Sequence, residues 1–485
     1  MKSTVKEYRN FIDGEWSGAA DNETYEIRSP GDTSHIVGRF PLSTVEDANL
    51  AVAAAHRQFA EWNRLAPSER TSFIYRFVEL LGDHKERLAE AAVQEQGKIY
   101  AEALAEPSRG TKELLITAGE ALRLEGIARP SDSPRTTNVA ERVPIGVVAA
   151  ITPWNFPILT PLRKIVPALV SGCTVVFKPA TATPLTGVII AELFEEAGLP
   201  AGALNLLIGA GSRIGNALVG NPLVRGVSFT GSTTVGRAIN RTAAKTFTKV
   251  QLEMGGKNAA VVVDYRDLAG VAPKIVKAAF SNAGQRCTAV SRVIVHESHA
   301  DELERLLVEA AAKIRVGHGT DPDVDMGPIT SEAAVNTMDE YVASARADGA
   351  TIALGGKRLT GGIYDGGYFY APTVITGVTR AMRVAREEIF GPVLSVLRVS
   401  SKEEAIDVCN DTDYGLTASL FTDDMNYTYD FTTRVDVGMV RINNLGVSGG
   451  NMPFGGSKNS GFGAFGIGST AMDFYTNMKV IYREY

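Results

Sequence analysis

A thiol, a carboxylate and an amide carry the chemistry this sequence could do. Cys287 lies in Gly284-Gln285-Arg286-Cys287-Thr288, just past a helical run. As a thiolate it would be a nucleophile, and the adjacent Arg286 cation could help hold that charge. The competing reading is an inert buried thiol, the commoner fate of a lone cysteine. Gly284 favours the first, because a missing side chain lets backbone approach a ligand closely. The nearest histidines in sequence are His296 and His299, so a Cys-His dyad could arise only through the fold. Glu253 closes a strand-like run in Val250-Gln251-Leu252-Glu253-Met254-Gly255-Gly256-Lys257-Asn258. It is a candidate general base, or else a carboxylate paired with Lys257. Asn155 sits in Pro153-Trp154-Asn155-Phe156-Pro157 and offers an amide donor to a developing negative charge, unless it is only a turn residue.

Two glycine-rich turns could meet a phosphate. Gly209-Ala210-Gly211-Ser212-Arg213-Ile214-Gly215 follows a strand and opens a helix, although its G-x-G-x-x-x-G spacing is one residue longer than the usual dinucleotide fingerprint. Phe229-Thr230-Gly231-Ser232-Thr233-Thr234-Val235-Gly236 also joins strand to helix and puts Ser232 at an N-cap.

The elements that position these groups alternate. Strands at 145–151, 174–178, 203–208, 225–229 and 248–253 are separated by helices at 157–171, 184–197, 212–220 and 233–245. This pattern predicts a mostly parallel sheet with covering helices, and ligands at the carboxyl ends of its strands. A second α/β stretch starts at Ala259, with helices near 270–282, 299–314 and 331–348 and strands near 290–295, 392–399, 415–421 and 438–443. Between Pro67 and Gly97 the apolar residues recur at helical spacing. The tail from Phe474 to Tyr482 has strand propensity, and it could pair with another subunit or dock on its own chain.

Length and composition bound the rest. At roughly 150 residues per domain, a chain of 485 residues suggests about three lobes. Forty-nine basic and 55 acidic residues give a net charge of −6, which offers no broad basic surface for nucleic acid. Cys173, Cys287 and Cys409 are too few and too scattered for a disulfide scaffold or a zinc site, so no metal is expected and a reducing, cytoplasmic setting is the simpler reading. Residues 1–10 carry charge where a signal peptide needs an apolar core, and no later stretch offers about 18 consecutive apolar residues, so no membrane span is expected.

Taken in order, Pro153-Trp154-Asn155-Phe156-Pro157, Phe177-Lys178-Pro179-Ala180, Phe229-Thr230-Gly231-Ser232, Leu252-Glu253-Met254-Gly255-Gly256-Lys257, Gly284-Gln285-Arg286-Cys287-Thr288, Glu387-Glu388-Ile389-Phe390-Gly391-Pro392 and Pro453-Phe454-Gly455-Gly456 resemble the motifs of the aldehyde dehydrogenase superfamily. The resemblance spans essentially the whole chain. It implies an α/β fold of two Rossmann-like parallel-sheet lobes plus a small β oligomerisation element. The cofactor lobe would be 1–123 with 145–255, the catalytic lobe 256–467, and the oligomerisation element 124–144 with 468–485, in a homodimer or homotetramer.

The resemblance also implies roles. Cys287 would attack an aldehyde, Asn155 and the Cys287 backbone N–H would hold the oxyanion, and Glu253 would activate the water that hydrolyses the thioester. Ile151, Thr152, Pro153, Trp154, Lys178, Ala180, Thr181, Gly211, Gly215, Phe229, Gly231, Ser232, Val235, Met254, Gly255, Glu388 and Phe390 would bind NAD or NADP. Many NAD-preferring members have Glu where this chain has Thr181, which implies that NADP is accepted and favoured. Many members have Trp where this chain has Arg163, on a helix that lines the aldehyde tunnel. Together with Arg286 it points to a carboxylate-bearing aldehyde, such as 2-oxoglutarate or succinate semialdehyde. Asn443-Asn444-Leu445-Gly446-Val447-Ser448-Gly449-Gly450-Asn451 would wall the entrance with polar, adaptable residues. Aromatic aldehydes, a CoA-acylating dehydrogenase and a non-redox thiol hydrolase are the alternatives.

Overall fold

The computed structural model describes residues 5–446 and 449–485. Val447 and Ser448 of the expected entrance loop lie outside the described residues. Two large sheets dominate. In the first, the strands Leu204–Leu206, Thr174–Lys178, Val147–Ile151, Val224–Thr230 and Lys249–Glu253 lie side by side in that order, all parallel. Chain order reverses between Val147–Ile151 and Val224–Thr230, so the loops leaving these two strands diverge and open a crevice. Glu15–Ser17 and Asn10–Ile12 extend one edge, and Gly461–Phe462 returns from far along the chain to cap the other.

The second sheet runs Thr351–Leu354, Thr373–Thr376, Val393–Val399, Val290–His296, Asn258–Val262, Thr417–Phe421, Met439–Ile442. All its pairs are parallel except that of the first two strands. Its central strands are covered on both faces, and all five residues of Asn258–Val262 are buried. Only residues 254–257 separate Glu253, at the carboxyl end of a first-sheet strand, from Asn258, at the amino end of a second-sheet strand. The carboxyl edge of one sheet therefore faces the amino edge of the other. The carboxyl ends of the first sheet border one cavity, and the second sheet brings its amino ends to the same place.

A third, antiparallel sheet consists of Ile127–Arg129, Thr136–Pro144 and Thr476–Glu484. The terminal strand docks on its own chain, in register from Thr476 opposite Pro144 to Glu484 opposite Thr136, and forms an edge of that sheet. The strand expected from Phe474 begins only at Thr476. Ala471–Tyr475 is helical, because Met472, Phe474 and Tyr475 are buried in the core of the first lobe rather than alternating across a pleat. Gly461–Phe462 likewise belongs to the first sheet, although it lies within the stretch expected to form the catalytic lobe. The sequence reading also passed over the helices Val45–Arg64 and Tyr100–Ala121, and the second of these borders the site.

Candidate active site

The loop before Cys287 is made by three successive left-handed residues, Asn282, Ala283 and Gly284, with φ of 53°, 53° and 68°. Two of them are not glycine, so the turn is held under strain by its surroundings. At Gly284 a Cβ would lie 2.2 Å from the Gly391 carbonyl oxygen, which excludes any larger residue. Beyond the turn, Asn258 Nδ2 donates to the Cys287 carbonyl at 2.7 Å and to that of Ala289 at 2.9 Å, fixing the Cys287 backbone to the second sheet.

Cys287, Glu253 and Asn155 all line one cavity of about 1050 Å³. Burial pushes the Cys287 thiol up to about 12, and the Glu253 and Glu388 carboxylates push in the same direction against Arg286 and Arg163. The thiol is thus protonated at rest, and the expected help from Arg286 is outweighed by desolvation and two nearby carboxylates. Glu253 accepts from Thr230 Oγ1 at 3.1 Å. It is not paired with Lys257, whose buried Nζ has no hydrogen-bond partner among the described residues. The Asn155 side chain, 4% exposed, donates from Nδ2 to the Gln285 carbonyl at 2.9 Å, which brings the amide to the cysteine loop.

Of the residues expected at a dinucleotide, Thr152, Pro153, Trp154, Ala180, Phe229, Gly231, Ser232, Val235, Met254, Gly255, Glu388 and Phe390 line the same cavity. Ser232 caps the helix Thr233–Ala243 by accepting from the Val235 N–H. Glu388 accepts from the Gly256 N–H at 3.0 Å, and a Cβ on Gly255 would lie 2.0 Å from its Oε2, so only glycine leaves room for the carboxylate there. Burial raises Glu388 to about 7. Ile151, Lys178, Thr181, Gly211 and Gly215 are not on the cavity wall. Lys178 and Gly211 nevertheless approach each other: a Cβ on Gly211 would be 4.0 Å from Lys178 Cε. Thr181 Oγ1 donates to the Gly209 carbonyl at 3.3 Å, tying the two turns together. Lys178 is buried, donates among the described residues only to the Pro179 carbonyl at 3.0 Å and is lowered to about 8 by desolvation. A buried ammonium beside a threonine, with no carboxylate on it, fits an anionic ligand group.

The wall near Cys287 is rich in arginine. Arg163 and Arg286 line it as expected, and so do Arg109 and Arg441, which the sequence reading missed. Arg163 does not project alone: Nε and Nη2 bond Glu113 Oε2 and Oε1 at 2.7 and 2.8 Å, while Arg109 Nε bonds Glu113 Oε1 at 2.6 Å. Burial opposes ionisation of Glu113, yet the two guanidinium groups hold it below the usual carboxylate range. Arg441 donates from Nη1 to Thr417 Oγ1 at 2.7 Å. Arg286 Nε is buried with no partner among the described residues. Burial lowers Arg109 and Arg441, and repulsion from neighbouring arginines lowers them further. Asn444, Leu445 and Gly446 of the entrance loop are on the wall as well. Arg109 and Glu113 belong to a stripe with Glu102 and Glu106 on the helix Tyr100–Ala121. Their spacing of four, three and four residues puts them on one face, a signal legible in the sequence had that helix been read.

Two facing α/β sheets bring a thiol, a carboxylate and an amide to one cleft. The chain belongs to the aldehyde dehydrogenase family, whose profile matches residues 16–481. It is 40% identical over 477 residues to an alpha-ketoglutaric semialdehyde dehydrogenase of Bacillus subtilis, covering 98% of each chain. To an NADP(+) succinate-semialdehyde dehydrogenase of Escherichia coli it is 36% identical, covering 94% of each. Among solved structures, a Staphylococcus aureus betaine aldehyde dehydrogenase in complex with NAD+ superposes with a TM-score of 0.96 at 36% identity, covering 99% of this chain and 95% of that one. Among the described residues, no helix is long and apolar enough to cross a membrane.

Proposed function

We propose that this aldehyde dehydrogenase oxidises an aldehyde bearing a distal carboxylate or similar anion, a semialdehyde, to the corresponding acid. The observation that carries this reading is the arginine cluster beside Cys287, in which desolvated guanidinium groups repel one another. An incoming anion would relieve that repulsion. The names of the Bacillus subtilis and Escherichia coli relatives support the same substrate class.

In this reading the Cys287 sulfur bonds to the aldehyde carbon, its proton passing to Glu253. The Asn155 amide and the Cys287 backbone N–H hold the oxyanion of the thiohemiacetal. A bound NAD or NADP supplies the hydride acceptor that turns this adduct into a thioester. Glu253, having passed the thiol proton on to solvent, then takes a proton from water, whose oxygen attacks the thioester carbon; the thiolate leaves, the acid is released, and the proton on Glu253 returns to the sulfur. Trp154, Phe229, Gly231, Ser232, Val235, Gly255, Glu388 and Phe390 would line the dinucleotide, with Lys178, Thr181, Gly211 and Gly215 around its adenosine end. Lys178 without a facing carboxylate favours a 2′-phosphate, hence NADP.

We assign residues 1–123 with 145–255, closed by the strand Gly461–Phe462, to the cofactor lobe, the rest of 256–467 to the catalytic lobe and the third sheet to oligomer formation. A panel of anionic, aliphatic and aromatic aldehydes assayed with both cofactors tests the function. A higher kcat/KM for neutral or aromatic aldehydes than for four- and five-carbon semialdehydes would overturn it.

A further inference from the structure

The mechanism leaves unused a buried ion pair that touches Asn155 from behind. Lys98 and Glu106 are each 2% exposed and meet at 2.5 Å between Nζ and Oε1. A buried ion pair is weak evidence for stability, because desolvation offsets most of its attraction. What distinguishes this one is where its remaining hydrogen-bonding capacity goes. Lys98 Nζ donates to the Asn155 backbone carbonyl at 2.8 Å and sits over the Phe156 ring at 4.5 Å. Glu106 Oε2 accepts from the N–H groups of Ile158 and Leu159 at 3.1 and 3.0 Å, which are free donors at the start of the helix Leu159–Val170. The pair thus grips the segment 155–159 at both ends. A second donor, Asn282 Nδ2, reaches the same Asn155 carbonyl at 3.2 Å, and Glu102 holds the Asn282 N–H. The same hold on the backbone keeps the Asn155 side chain within reach of the cysteine loop, where its amide meets the Gln285 carbonyl.

We infer that Lys98 and Glu106 are positioning residues for the oxyanion donor: their ion pair sets where the Asn155 amide points, and so the rate of the chemical steps rather than binding. This rests on the assignment of Asn155 as that donor. Preorganised donors accelerate a reaction only while aimed at the developing charge, and small misplacements cost as much as removal.

A double-mutant cycle on the full-length enzyme tests it, with rapid-mixing measurement of hydride transfer, cofactor Kd, substrate KM and Tm for each variant. Lys98→Met is expected to slow hydride transfer about tenfold to a hundredfold, leaving KM and cofactor Kd within about twofold. In an Asn155→Ala background the same change is expected to cost less than about twofold, because the amide it aims is gone. A lower Tm is expected in either case, since Glu106 is left buried without its partner; a merely structural role would raise cofactor Kd, or its cost would multiply with that of Asn155→Ala, and either result overturns the inference while leaving the role of Asn155 intact. Unimpaired hydride transfer in Asn155→Ala alone would instead remove the assignment on which the inference rests. If Lys98→Met does not fold, Asn282→Ser removes the other donor to the Asn155 carbonyl. It is expected to slow hydride transfer about threefold or more, again without additivity.

Discussion

Replacing Arg163 by leucine separates a substrate-binding arginine from a structural one. The guanidinium uses Nε and Nη2 on Glu113, so a substrate anion would be met by Nη1. One charge-assisted hydrogen bond is worth about 1.5–3 kcal/mol, or about tenfold to 150-fold in kcat/KM. The substitution also leaves Glu113 with Arg109 as its one ion-pair partner. The carboxylate then repels a substrate anion more strongly, placing the expected loss in the upper part of that range. A neutral aliphatic aldehyde of the same length makes no such bond and should keep its kcat/KM within about twofold. Arg163→Lys should recover part of the loss, since a lysine supplies charge without the two-pronged fit to Glu113. Steady-state assays of the three enzymes on a semialdehyde and its neutral analogue, with Tm measured alongside, complete the test. Equal losses on both substrates would refute the argument and leave Arg163 as a structural partner of Glu113.

Four further outcomes are expected. Because the resting Cys287 thiol lies near 12, thiolate accumulates only as pH rises toward that value; inactivation by iodoacetamide without cofactor should climb steadily and show no plateau below about pH 10, and Glu253→Gln should accelerate it. A plateau near pH 8 would contradict this. Lys178 lies near 8 and pairs with a 2′-phosphate only when charged, so NADP affinity should weaken relative to NAD above about pH 8. Thr181→Glu should shift the kcat/KM ratio toward NAD by about tenfold or more through repulsion of that phosphate; an unchanged ratio would refute it. Deleting residues 477–485 removes the edge strand but spares the buried Met472, Phe474 and Tyr475. A lower oligomeric state by light scattering is the expected result, and an unaltered one would count against the third sheet as an assembly surface.

The alternation of short β-branched runs with amphipathic ones made both sheets legible in the sequence, since buried parallel strands must be apolar throughout and their covering helices one-sided. Cys287, Glu253 and Asn155 were legible through the turns that carry them. Glu106, Arg109 and Glu113 share a helical face that local spacing displays, but what ties Glu113 and Lys98 to the site are partners 50 or more residues away, Arg163 for Glu113 and Asn155 for Lys98, which no local pattern reveals. Phe474 and Tyr475 read as strand because aromatic residues favour strands, and burial in the first lobe overrode that preference. The raised Cys287 thiol was equally out of reach, for it depends on desolvation by a fold not yet assembled and on Glu253 and Glu388 brought in from either side.

The short strand Gly461–Phe462 pairs with Leu252 and Glu253, and the Met254 N–H donates to the Ser460 carbonyl at 2.8 Å. The strand that ends at Glu253 is thus closed by residues about 200 positions further along the chain. Loss of that short segment would leave this edge open to water while the rest of both sheets stands, so damage there is expected to cost catalysis before it costs the fold.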